Sequence, residues 1–133
     1  MTAERGIYEQ IKNVAGGRVY MLRAPQNVTA PFVVIQRVDS TRWRSINAPS
    51  GIGQATIQID VYSESFYDMK TTALQIETIL DGYRGIVYYG DSSPQDSVRL
   101  AGVSLDNDTD TLDQTEEPFL YRNAARYIVT YEL

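Results

Sequence analysis

Ala55-Thr56-Ile57-Gln58-Ile59-Asp60-Val61-Tyr62 is the stretch that decides the fold. Its two-residue period is that of a strand with one buried face: Ala55, Ile57, Ile59 and Val61 point one way, and Thr56, Gln58 and Asp60 point the other. Just upstream, Pro31-Phe32-Val33-Val34-Ile35-Gln36-Arg37-Val38 is dense in β-branched and aromatic residues and is bounded by proline and by Asp39-Ser40. It reads as the central strand. The residues between the two strands, 39–54, hold Arg42-Trp43-Arg44 and a turn-like Pro49-Ser50-Gly51-Ile52-Gly53, so they read as an extended β-hairpin arm.

A sheet with one apolar face needs a cover, and two segments supply it. Ile7, Ile11 and Val14 recur at helical spacing, with Thr2 placed to cap the start and Gly16-Gly17 to stop the end. Ser65, with Asp68 three residues later, caps a second helix whose Met69, Ala73, Ile76 and Leu80 share a face and which Gly82 terminates. Arg18-Val19-Tyr20-Met21-Leu22 reads as a brief strand ending before Ala24-Pro25. Residues 98–105 and 121–132 form two more strands, the second placing Tyr127, Val129 and Tyr131 on a common side, and an acidic loop joins them. The expectation is one α+β domain over residues 1–133: a single antiparallel-rich sheet, two helices on one face, and the hairpin arm.

Composition narrows the function. Hydrophobic residues make up 43% and charged residues 22%, within the range of chains that fold. Seventeen acidic against twelve basic residues give a net charge of −5, which disfavours binding to phosphate backbones and anionic membranes. The sequence has no cysteine, so it offers no disulfide, thiolate ligand or cysteine nucleophile. It also has no histidine, which removes the commonest general base and the commonest zinc ligand. Enzymatic activity is therefore not expected. The start Met1-Thr2-Ala3-Glu4-Arg5 has no apolar signal core behind it, and no apolar run approaches a membrane span, so neither secretion nor membrane insertion is expected.

Two clusters invite a sharper reading. Arg42-Trp43-Arg44 joins charge to a large ring, as partner contacts do; the plainer reading is a tryptophan closing the core under a hairpin. Asp106, Asp108, Asp110 and Glu117 match the first, third, fifth and twelfth positions of a calcium loop. Thr111 stands where that loop needs glycine, so a solvated acidic loop that orders on a partner is preferred. Asp60 and Asp68 could be taken for an acid–base pair, but Asp60 reads as solvated and Asp68 as a cap. The ten tyrosines read as a sheet rim.

A succession of landmarks goes further. These are Gly17-Arg18-Val19-Tyr20, Ala24-Pro25, Pro31-Phe32-Val33-Val34-Ile35-Gln36-Arg37, Ser50-Gly51, Ile57-Gln58-Ile59-Asp60-Val61-Tyr62, Leu80-Asp81-Gly82-Tyr83-Arg84-Gly85, and Tyr121-Arg122 leading into Tyr127-Ile128-Val129-Thr130-Tyr131. Each is common alone, but in this order and spacing, over residues 5–132, the chain resembles the tail-completion or tail-terminator proteins of long-tailed, siphovirus-type bacteriophages. The resemblance implies a non-enzymatic virion protein without cofactors. It would be made in the host cytoplasm and form a hexameric ring on the head-proximal end of the tail tube. Its partners would be copies of itself, the tail-tube protein and a head-tail connector or stopper protein, with DNA only passing through the lumen. A neighbouring connector or neck subunit is the alternative. The expected contact residues are Arg42, Trp43, Arg44 and Ile46 on the arm, and Asp106, Asp108, Asp110, Asp113, Glu116 and Glu117 in the acidic segment.

Overall fold

The structure is a computed structural model that describes residues 3–25, 28–44, 49–89, 96–113 and 119–132, apart from the side chains of 40–44, 49–51, 89, 96 and 113. In chain order the elements are α1 (Ala3–Ile11), a 3-10 turn (Val14–Gly17), β1 (Val19–Met21), β2 (Phe32–Arg44), β3 (Pro49–Ser63), α2 (Phe66–Leu80), β4 (Gly85–Tyr89), β5 (Asp96–Asp113) and β6 (Leu120–Glu132).

The alternating stretch lies in β3, which pairs antiparallel with β2 on one side and with β6 on the other. Its apolar set meets apolar partners in register: Val61 opposite Val33, Ile59 opposite Ile35, Ile57 opposite Tyr127, and Ala55 opposite Val129. One sheet of six strands results, ordered β1-β2-β3-β6-β5-β4. α1 and α2 cover the face carrying these residues. Ile7, Ile11, Met69, Ile76 and Leu80 are all fully buried in one core with Ile57, Ile59, Leu100 and Tyr127. Each such side chain removed from water stabilises the fold by about 1.5–3 kcal/mol.

The helix ends follow the residue chemistry. Ser65 caps α2, its hydroxyl accepting from the Asp68 N–H at 3.4 Å. Gly82, at φ 82°, turns the chain out of α2, and its N–H donates to the Val103 carbonyl, tying the helix end to β5. After α1 three successive residues, Ala15, Gly16 and Gly17, adopt positive φ. Val14 therefore sits in the turn rather than on the helix, and Thr2 lies outside the described residues.

Some features were not foreseen. The sheet is mixed, with four antiparallel pairings and one parallel one, in which β1 pairs Val19 with Val33 and Met21 with Ile35 of β2. The connection through Ala24-Pro25 is long enough to bring the chain back in the same direction. The sequence reading missed β4, five residues pairing with the start of β5. The acidic segment is not a loop as far as Asp113: β5 continues through it, with Asp108 opposite Ala125 and Asp110 opposite Asn123. Tyr127 and Tyr131 are core residues rather than rim residues. Burial pushes the Tyr127 phenol well above its usual value.

Candidate functional site

The register of the sheet places the two charged segments at opposite ends of it. Gly85 pairs with Leu100, Leu100 with Tyr131, Tyr131 with Gly53, and Gly53 with Arg42, so these residues share one level across the strands. Beyond the pair of Ile52 with Glu132, β3 continues against β2 alone among the described residues, as far as Arg44 opposite Pro49. Arg42, Trp43 and Arg44 occupy the last three positions of β2 there. At the other end β5 reaches Asp113, opposite Leu120. Leu120 is eleven residues from Tyr131 along β6, about 36 Å at the rise of a strand. Ile46, Glu116 and Glu117 lie outside the described residues.

The two ends carry opposite charge. Residues 37–44 hold three arginines and one aspartate, net +2, whereas residues 106–117 hold four aspartates and two glutamates with no base. The carboxylates on β5 are partly engaged within the fold. Asp108 and Asp110 lie on the helix side of the sheet, where the Asn123 amide donates to both, at 3.2 and 2.7 Å, and the Lys70 ammonium of α2 donates to Asp110 at 2.8 Å. The hydrogen bond from Lys70, and then that from Asn123, holds the Asp110 carboxyl below its ordinary value, while the same pairing raises Lys70. A hollow of about 220 Å³ between α2 and the sheet opens beside this cluster, bounded by Glu77, Leu105 and Tyr127.

This arrangement does not suit the calcium reading. Asp108 and Asp110 are spread along an extended strand rather than wrapped about a point, Asp106 falls at a register shift between Leu105 and Asn107, and an ammonium already occupies Asp110. Among the described residues no group of three or more potential ligands could hold a metal ion.

A second cluster, on the helix-free face, was not foreseen. Asp60 is buried rather than solvated, only 4% exposed. Its carboxylate accepts from the Arg122 guanidinium at 3.1 Å and from the Gln58 amide at 3.0 Å. Arg122 also lies over the Tyr62 ring, which stacks on Phe32 at 4.9 Å. This strip crosses β2, β3 and β6 and links them through side chains as well as through the ladder. Its signal in the sequence was the aspartate in mid-strand, a residue disfavoured there unless paired.

Neither cluster holds a nucleophile beside a base, and both tie neighbouring elements of the fold together. No helix among the described residues is long and apolar enough to cross a membrane. No curated protein sequence matches the chain. Among solved structures, a chain from the virion of the native gene transfer agent (GTA) particle is similar in fold, with a TM-score of 0.69 at 16% identity, over 98% of this chain and 94% of that one. The family described as Tail completion protein gp17 matches residues 8–130. That match spans nearly the whole sheet-and-helix unit described above, from within α1 to Thr130 in β6, and the chain belongs to the family of tail completion protein gp17.

Proposed function

We propose that this phage tail protein forms a ring, of six copies, on the head-proximal end of the tail tube, where it ends tube growth and joins the tail to the head connector. Family membership over residues 8–130 is the observation that carries the reading. The geometry supports it: a single folded unit offers chemically different surfaces at its two ends, basic beyond Gly53 and acidic towards Asp113. Two unlike ends suit a subunit that meets one neighbour in the tail on one side and a different one on the other. The hairpin end, through Arg42, Trp43, Arg44 and Ile46, serves as one contact. The acidic end, through Asp106, Asp113, Glu116 and Glu117, serves as another. DNA passes the lumen without being held, consistent with the net charge of −5.

The test is the mass and shape of the purified protein, alone and mixed with tail-tube protein, by light scattering and negative-stain microscopy. Rings, free or capping the tubes, are expected. A monomer that never caps tubes but binds the connector would make it a neck subunit instead. Trp43→Ala is expected to weaken assembly while leaving the melting temperature unchanged; a lowered melting temperature with normal assembly would return Trp43 to the core.

A further inference from the structure

The outer edge of β4 is the least defended part of the sheet. β4 is the last strand in the order, and among the described residues no strand pairs with its outer side. An open edge is a template for another chain, and monomeric proteins usually blunt it with lysine, proline or a bulge. Gly85-Ile86-Val87-Tyr88-Tyr89 has none of these and no charge. Val87 is buried under α1, while Ile86 and Tyr88, on the opposite side of the strand, are 54% and 60% exposed. A β-branched and an aromatic residue left in water along an unpaired edge describe a surface that is covered in use.

Three observations name the cover. First, β2 has a free edge of its own: β1 pairs with it only as far as Ile35, so residues 36–44 have no partner on that side among the described strands. Second, the directions agree. Four successive antiparallel pairings carry the sheet from β2 to β4, so the two strands run the same way. A cyclic rotation about an axis along the strands preserves that direction. Third, the levels agree, since Gly85 lies at the level of Arg42 through the chain of register pairs already described. Rotation without translation therefore brings β4 of one copy against the last residues of β2 in the next.

We infer that β4 receives the end of β2 from a second copy of this chain as a parallel strand, so that the sheet continues from subunit to subunit. The inference rests on the ring reading and supplies its lateral contact. A five-residue strand is about 17 Å long and buries less than the roughly 800 Å² per partner of a stable interface. Closure therefore takes place on the tube, where many weak contacts act together.

The native chain has no cysteine, so introduced thiols report this contact cleanly. Two double variants, Trp43→Cys/Ile86→Cys and Arg44→Cys/Ile86→Cys, place one thiol at the level of Ile86 and the other at or next to it on the incoming strand, and are oxidised with tail tubes present. A ladder of covalent oligomers is expected from at least one of them. Hydrogen exchange of residues 85–89 in the wild-type chain is expected to slow about tenfold on assembly. Ile86→Lys is expected to abolish assembly with an unchanged melting temperature. Assembly by the wild type with neither ladder nor slowed exchange overturns the β4 contact and leaves the ring standing. Slowed exchange without a ladder assigns β4 to the tube protein and overturns the second copy. A wild-type chain that stays monomeric with and without tubes overturns both readings.

Discussion

Gly53 lies where a side chain has no room: a Cβ there would stand 2.6 Å from the end of the Tyr131 ring across the β3–β6 pair. Gly53→Ala is expected to displace that buried ring and lower stability by about 1–3 kcal/mol, read from the midpoint of urea unfolding. Asp60 gives a second residue-scale expectation. Arg122→Met would leave a carboxylate buried with only Gln58 to answer it, at a cost of about 1–3 kcal/mol. Restoring shape without charge, in Arg122→Met with Asp60→Leu, should recover part of the loss. The mid-strand aspartate signalled a partner but not which one, because Arg122 lies 62 residues away and only the β3–β6 register brings it alongside. The Lys70–Asp110 pair gives a pH dependence of definite sign. Asp110 is depressed, so its contribution is present above its ordinary value of 3.8 and fades as pH falls through the folded value. Lys70 is raised, so its contribution is complete below 10.5 and is lost as pH rises through the folded value. Both groups are a third or more exposed, so solvent screening limits the pair to a fraction of a kcal/mol, and Lys70→Met should flatten both limbs of the stability curve slightly.

β3 was legible as an element because its alternation and its burial have the same cause, a helix layer on one side only. Ile57→Ala is expected to cost about 2–5 kcal/mol in denaturant unfolding, since Ile57 is fully enclosed. α2 was legible for a similar reason, with a capping serine at one end and a positive-φ glycine at the other. The far half of β5 was not. Asp106-Asn107-Asp108-Thr109-Asp110 is poor in strand formers and rich in charge, so local propensity writes a loop. What makes it a strand is nonlocal: β6 supplies the ladder, Asn123 bridges two carboxylates, and Lys70 reaches down from α2. β1 and β4 are short, three and five residues, and short apolar runs carry too little pattern to reveal direction or partner.

The sheet as a whole sorts the surface chemistry by position, with arginines at one end, carboxylates at the other, and, among the described residues, unpaired strand edges at both sides. The basic end of β2 and the acidic segment were legible as charged clusters, because charge is written in the sequence. That they stand at opposite ends of the sheet was not, because only the register shows it. Removing the arm's charge in Arg42→Gln/Arg44→Gln is expected to reduce tube capping and its salt dependence together, measured by counting capped tubes across a salt series. The chain also carries its own optical gauge. Trp43 is the sole tryptophan, and it occupies the last position but one of β2, at the opposite end of the sheet from Asp113. Selectively excited indole emission therefore reports on one spot in the molecule, and a shift to shorter wavelength on mixing with tubes would time the docking of that strand end without any label.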